Sequence, residues 1–408
     1  MSAAAPPPPT APPPTDEMVL GTLRGVIDPE LGSDIVDLGM VQTIAVAADG
    51  VVTVKVALTI AGCPLRTQIR QDVESKVRAI PGVTAVKVEF GEMTQVQRTE
   101  VMQRARRKAS ESAPATEVPL NARVIAVASG KGGVGKSSVT VNLASALAAR
   151  GLTVGVLDAD IWGFSVPRML GVKGRLGGAE DGRRLIRPHR IPAGSGEIEV
   201  VSMGLLVDDE DMAIMWRGLM LAKALEEFLQ KVAWGKLDYL LIDMPPGTGD
   251  VQMALGRLLP QAQMLVVTTP AVAVQKVAVR VADMARRSYL TVLGVVENMS
   301  AFTCDHGESY ALFGTGGGAT LAADLGVPLV GQIPLEPAIS AANDAGTPLA
   351  TAAPDSAAGA TFAAIAARIV DDLLPPLDME GCTARVLAAV TAALGPKPGT
   401  KPVTSSKR

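Results

Sequence analysis

The sequence predicts an α/β protein: a doubly wound, mostly parallel sheet preceded by a small α+β domain. Three observations lead there. Strand-like apolar runs recur at 124–128, 153–157, 238–242, 263–268, 292–296 and 328–330, with helical stretches between most of them. A glycine-rich G-x-x-x-x-G-K-[ST] segment at 130–137 stands between the first of those runs and a helical pattern over 138–150. Within the first hundred residues the pattern differs, because two strand-like runs, 42–46 and 51–58, flank the hairpin turn Asp49-Gly50.

At 408 residues the chain is too long for a typical single domain, so two are expected. An apolar content of 48% is enough for buried cores, and with only 3% aromatics those cores are built from Ala, Val, Leu, Ile and Met. A formal charge of −3 argues against a strongly basic nucleic-acid binder. No apolar run has the length of a membrane span, and the Pro-rich start has no hydrophobic core of a secretory signal. Cys63, Cys304 and Cys382 are odd in number and far apart, which is no disulfide framework. The expectation is a reduced, cytoplasmic protein with no nucleic-acid and no membrane partner.

Residues 1–15, mostly Ala, Pro and Thr, read as a flexible or polyproline-like tail. The small α+β domain spans 16–92. It contains an expected helix over 18–27, the two strands, a helix over 65–79, a turn at Pro81-Gly82 and a strand over 83–90. Cys63 has two readings: a thiol at a helix start, where the dipole favours thiolate, or a buried structural cysteine. Asp28, Glu30, Asp34 and Asp37 read as cap and turn residues, with a metal cluster as the alternative. Residues 93–119 read as a charged linker, helical and solvated over 95–112. Its Arg104, Arg106, Arg107 and Lys108 lack the interleaved aromatics of a nucleic-acid patch. The large domain spans 120–374. Residues 375–408 hold an apolar helix over 378–394 and a disordered tail.

The chemistry is concentrated at 130–137. Gly130, Gly132, Gly133 and Gly135, with Val134 between them, let backbone N–H groups approach a phosphate, and the helix start adds partial positive charge. Lys136 is placed to reach the β- and γ-phosphates and Ser137 to hold Mg²⁺, with Ser138 next in the helix. Three carboxylates follow strand-like runs: Asp158 and Asp160 after 153–157, and Asp243 after 238–242. In open α/β sheets such strand ends gather functional groups, and carboxylates there suit a hard cation.

The form Gly130-Lys131-Gly132-Gly133-Val134-Gly135-Lys136-Ser137 resembles the deviant Walker A group of P-loop NTPases. In that group the extra lysine crosses a dimer interface to the partner's nucleotide. The resemblance therefore implies a homodimer and that role for Lys131; a solvated loop lysine is the other reading. A cation supplied in trans offsets charge on the transferring phosphoryl group. Over 16–372 the chain is similar to Mrp/ApbC-type iron–sulfur cluster carriers. The similarity rests on Thr59-Ile60-Ala61-Gly62-Cys63-Pro64, on 130–137, on 158–163, on 243–250, on Glu297-Asn298-Met299-Ser300, on 313–317 and on 331–335. It implies ATP and Mg²⁺ as cofactors, Asp158 and Asp160 in switch I, Asp243 as the Walker B aspartate and 247–250 as switch II. It further implies that Asp160 places the attacking water or its Mg²⁺ partner, and that Asn298 reads the adenine edge. The catalytic candidates are Lys131, Lys136 and Asp160. The Mg²⁺ candidates are Ser137, Asp158 and Asp243.

Cluster-binding members carry C-x-x-C after the Glu-Asn-Met-Ser stretch, and two protomers then give four thiolates to one iron–sulfur cluster. The matching segment here is Cys304-Asp305-His306-Gly307. The resemblance implies cluster ligation by Cys304. Gly307 breaks the pattern and leaves two thiolates per dimer, which His306 across the axis, Cys63 or a glutathione-like ligand would complete. A plain loop thiol at Cys304 and a surface His306 form the other reading. Two functions compete: an ATP-dependent iron–sulfur cluster carrier that serves apoprotein clients with slow hydrolysis, and a cluster-free, nucleotide-switched adaptor. A positioning ATPase on DNA or membrane is a third, and it shares only the P-loop with this residue set.

Overall fold

The computed structural model describes residues 12–28, 33–58, 66–160, 163–178, 185–205, 218–247, 249–288, 290–304 and 306–377. Most of the expected Pro-rich tail, Cys63, Thr248, the expected helix over 378–394 and Cys382 lie outside the described residues. The chain forms two compact units. The first lies within the opening 114 residues and takes in Leu255–Gln261 and Asp283–Thr291; the second holds the rest.

In the first unit, α1 (Asp16–Leu23) starts where the Thr15 side chain accepts Met18 N, with Asp16 and Glu17 in its first turn. It stops earlier than the expected 27, because Gly25 N and Val26 N fold back onto Thr22 O and Leu23 O. A short antiparallel pair follows, β1 (Ile27–Asp28) and β2 (Ser33–Asp34). β3 (Val41–Val46) and β4 (Val51–Leu58) pair antiparallel around Asp49-Gly50. Gly50 has φ 82°, and a Cβ there would meet Gly82 O at 2.4 Å, so glycine is required. α2 (Arg66–Arg78) buries Ile69, Val73 and Val77, four apart on one face. It returns the chain to β5 (Ala85–Glu92), which runs parallel to β4.

α3 (Gln95–Ser112) opens with a capping box of Thr94 and Gln97. The expected solvated linker is corrected here. Val101 and Ala105, two apolar residues spaced four apart among charges, lie in the same core as Val54 and Ile69. Lys108 Nζ pairs with Asp34 Oδ2 and Asp37 Oδ2, each at 3.1 Å, and Arg24 also pairs with Asp37. The Lys108 ammonium holds the Asp37 carboxyl below the usual carboxylate range. Asp34 Oδ1 accepts Asp37 N at 2.8 Å. These two acids are turn and ion-pair groups. Among the described residues no group of three His, Cys, Asp or Glu is arranged to hold a metal.

The chain continues through β6 (Arg123–Ser129), α4 (Lys136–Ala149), β7 (Thr153–Asp158), α5 (Val166–Met169), the small pair β8 (Gly177–Gly178) and β9 (Ile186–Arg187), β10 (His189–Ala193), β11 (Gly196–Ser202) and α6 (Gly218–Lys231). Then come β12 (Tyr239–Asp243), α7 (Asp250–Leu258), β13 (Gln263–Thr268), α8 (Val272–Arg287), β14 (Thr291–Thr303), β15 (Ser309–Tyr310), α9 (Gly317–Leu325) and β16 (Leu329–Leu335). The last helices are α10 (Pro337–Asp344), α11 (Leu349–Ala352) and α12 (Ala357–Arg368). Nine strands form one sheet in the order β10-β11-β7-β12-β6-β13-β14-β15, with β16 also on β14. From β11 to β13 the neighbours run parallel, as do β14 and β16, while β10 and β15 are antiparallel additions. This is the predicted parallel sheet, widened by β10 and β11. β11 escapes the sequence reading because Glu197 and Glu199 interrupt its apolar run. Glu199 is fully buried and accepts Gly235 N at 3.0 Å. α4 is buried over every residue from 139 to 148, with Ala, Ser and Thr allowing close approach. No described helix is long and apolar enough to cross a membrane.

Candidate functional site

β6, β7 and β12 are parallel neighbours, with Asp243 opposite both Asp158 and Val127, so their outgoing loops converge. The loop after β6 turns through Gly133 (φ 81°) and Gly135 (φ 77°). At Gly135 a Cβ would lie 2.3 Å from Asn298 Nδ2. Residues 132–138, Ser129, Asp160, Ser165, Met169 and Pro246 line a cavity of about 230 Å³ at the start of α4. Backbone N–H groups at a helix start favour an anion there.

Lys136 is only 6% exposed. Its Nζ lies 2.7 Å from Asp243 Oδ1 and 3.9 Å from Asp160 Oδ2. Ser137 Oγ donates to Asp243 Oδ2 at 2.5 Å, and Thr140 Oγ1 lies 2.9 Å from Asp243 Oδ1. Asp243 is fully buried, and the ammonium with two hydroxyls offsets its lost hydration. Asp158 beside it accepts Asp160 N at 3.1 Å, Val166 N at 3.4 Å and Ser202 Oγ at 3.1 Å. Burial first, and the Asp243 charge second, push the Asp158 carboxyl up to about 7. Burial also raises the Asp160 carboxyl, against the pull of Lys136. Ser137 Oγ and the carboxylates of Asp243 and Asp158 form an all-oxygen donor set beside the phosphate cradle, which fits Mg²⁺.

A pH prediction follows from Asp158. The folded chain keeps a proton that the unfolded chain has already released, so stability falls as pH rises between the two values. It is fully present below about pH 4 and lost by about pH 7, a change on the order of a few kcal/mol. Thermal unfolding without nucleotide is expected to show that decline, and Asp158→Asn to flatten it. Equal slopes in the two proteins would remove Asp158 as the cause.

Three supporting residues carried no signal in the sequence. Thr140 stands one helical turn after Lys136. Gln252, 1% exposed, donates to Gly247 O at 2.8 Å and Pro245 O at 3.2 Å, and its oxygen accepts Gly249 N at 2.8 Å. Gly247 N in turn donates to Ser129 O, so Gly247 is tied to the end of β6. Asn343 Nδ2 donates to Ser138 Oγ at 2.7 Å while its oxygen accepts Asn142 Nδ2 at 3.3 Å, fixing the Ser138 hydroxyl from beneath α4.

The structure brings Lys136, Ser137, Asp158, Asp160 and Asp243 together. Other candidates are placed differently. Lys131 is exposed and is not among the cavity-lining residues; its carbonyl accepts Ser129 Oγ at 3.1 Å. Asn298 is 6% exposed, and its Nδ2 donates to Val134 O at 2.9 Å, so it braces the loop rather than lining the cavity. Its neighbour Glu297 accepts Gly318 N and Gln332 Nε2 at 2.5 and 2.7 Å. Cys304 is a half-buried free thiol at the turn between β14 and β15. Cys304 N donates to Glu308 O and Gly307 N to Cys304 O, both at 2.9 Å. Gly307 has φ 84°, and His306 on the same turn is exposed.

A glycine loop closing on a buried lysine, beside strand-end aspartates of a parallel sheet, defines a P-loop NTPase. The chain belongs to the ParA family of NUBPL iron-transfer P-loop NTPases, whose profile matches residues 121–370. Residues 16–90 match the iron-sulfur cluster assembly protein family. The iron-sulfur cluster carrier protein of Mycobacterium bovis is 46% identical over 351 residues, covering 84% of this chain and 90% of its own length. That of Synechocystis is 41% identical over 361 residues, covering 87% of this chain and 97% of its own length. Among solved structures, a nucleotide-binding protein from Archaeoglobus fulgidus in complex with ADP is 38% identical. It covers 55% of this chain and 86% of its own, with a TM-score of 0.47.

Proposed function

We propose that this chain is an ATP-dependent carrier that binds an iron–sulfur cluster between two copies of itself and passes it to apoproteins, with slow, Mg²⁺-dependent ATP hydrolysis. The observation that carries the nucleotide half is the buried Lys136–Asp243 pair at the mouth of the glycine loop. The loop amides and Lys136 bind the phosphates, and the Ser138 hydroxyl is held ready by Asn343. Ser137, Asp243 and Asp158 are the groups that hold Mg²⁺, which when bound neutralises charge on the phosphate oxygens. Asp160, at the rim and facing Lys136, orients the attacking water. Asn298, assigned by family resemblance to the adenine edge, also steadies the loop through Val134 O. Gln252 holds Pro245, Gly247 and Gly249 in place until the γ-phosphate contacts change.

The cargo half rests on family membership and on Cys304. One thiol per chain gives two per pair, and a cluster takes four ligands. His306, two residues on, supplies an imidazole from the same turn. Such a site needs reduced thiols, which fits the cytoplasm. A second reading, a cluster-free adaptor, is favoured by one feature: Gly307, where cluster-binding relatives place their second cysteine, holds a left-handed turn with φ 84°. Anaerobic reconstitution followed by iron and sulfide quantification decides between them. The carrier reading expects both elements bound, and Cys304→Ser to bring them to background with ATP hydrolysis retained. Hydrolysis without bound iron or sulfide in the parent protein would select the adaptor.

A further inference from the structure

β14 carries two features on one strand. Asn298 donates to Val134 O in the phosphate loop, and Cys304 follows immediately after the strand's end. Between them the strand is irregular. Met299 has φ 59°, and among the described residues it is the only non-glycine with positive φ. Side-chain-bearing residues populate that region sparsely and stay there where neighbours over-determine them. The pairing with β16 also slips here. Asn298 faces Ile333 and Phe302 faces Leu335, so four steps along β14 (298 to 302) match two along β16 (333 to 335). Extra residues of this kind bend a strand. Ser300 Oγ donates to Ile333 O at 3.1 Å and pins the irregular stretch to β16. The Met299 methyl lies 3.6 Å from where a Cβ on Gly135 would sit, so the strained residue also rests on the phosphate loop. Upstream, buried Glu297 fixes the strand to α9 and β16 through Gly318 N and Gln332 Nε2.

We infer that Met299 is a hinge through which the phosphate loop sets the position of the arm carrying Cys304, so that nucleotide occupancy changes the reactivity of that thiol. The inference rests on the nucleotide site proposed above. A phosphate in the cradle acts on the backbone of 132–138, and any shift at Val134 O or Gly135 meets Asn298 and Met299 directly. Glu297 holds the strand on the other side, so the movement appears in the arm from Phe302 to Tyr310 rather than in the sheet. A joint with two arrangements, biased by one site and read at another, is the physical content of such coupling.

The test labels the full chain with N-ethylmaleimide, with and without ADP and Mg²⁺. Alkylation of Cys304 is followed by peptide mass spectrometry, which separates it from Cys63 and Cys382, and ADP binding is measured by calorimetry on the same samples. The parent is expected to change its Cys304 rate severalfold on binding ADP. Met299→Gly is expected to bind ADP, keep the parent's oligomeric state by sedimentation and show one rate in both conditions. Glycine adopts the left-handed conformation freely, so this variant keeps the fold while losing the strain and the methyl contact. A parent that binds ADP with an unchanged Cys304 rate overturns the inference and leaves the nucleotide site standing. A Met299→Gly protein that responds as the parent does also overturns it. If the variant loses ADP affinity, hydrogen exchange in the parent decides: ADP must alter amides 300–303 and spare 292–297, and a uniform change sinks the hinge. A parent that does not bind ADP removes the nucleotide site and this inference together.

Discussion

Lys136→Ala is expected to lower ATP affinity, read by calorimetry, by roughly 30- to 4,000-fold. That range is the cost of removing one partner of a buried, hydrogen-bonded charge pair, about 2–5 kcal/mol. Two effects are folded into it. The triphosphate loses the ammonium that faces it, and Asp243 loses the cation that compensates its burial. The second effect lowers folding stability, because Asp243 is left buried with two hydroxyls beside Asp158. The two are separable. Adding Asp243→Asn removes the uncompensated charge, so the double variant is expected to recover thermal stability while ATP binding stays lost. Tight ATP binding by Lys136→Ala, at a stability equal to the parent's, would contradict the assigned role of the lysine.

That site was legible in the sequence to an uneven degree, for physical reasons. The phosphate loop announces itself because chemistry and backbone geometry constrain the same eight positions: Gly133 and Gly135 need positive φ, and Lys136 and Ser137 need their functional groups. Asp158 and Asp243 are legible because each ends an apolar run that only a buried parallel strand explains. Thr140, Gln252 and Asn343 are not. Each is a polar residue within a helix; Gln252 bonds the backbone just before its own helix, while what makes Thr140 and Asn343 matter is a partner far away in the chain, Asp243 and Ser138. No local pattern encodes that distance. β11 was hidden for a related reason. Its Glu199 looks like a surface residue until the structure supplies Gly235 N and Arg190 beside it. α3 erred in the opposite direction: its charges suggested solvent on every side, while Val101 and Ala105 were enough to pin it to the core. Asn298 lay between these cases, since the residue was singled out but its bond to Val134 O was not foreseeable.

Lys131→Ala is expected to act on turnover and not on binding. Lys131 is the one residue of the phosphate loop from 131 to 138 that is absent from the cavity lining, and it is exposed. Its backbone contributes to the loop through Ser129, while its ammonium stays outside the site that its own loop builds. A cation in that place does not line its own loop's cavity, and in the proposed dimer it serves the nucleotide of the second copy. If it acts there, it does the work of an arginine finger supplied in trans, and its removal is expected to cost on the order of 10³ in turnover. ATP affinity is expected to stay near the parent's, because Lys136, Ser137 and the loop amides are untouched. The concentration dependence separates this from a simple loss of activity. Specific turnover of the parent is expected to rise with protein concentration as copies meet, and that of Lys131→Ala to stay low and flat. Lys131→Arg keeps a cation at the interface and is expected to retain part of the rate. Parent-like turnover in Lys131→Ala at high protein concentration would leave this lysine a solvated loop residue and remove the reason for requiring two copies at the phosphate.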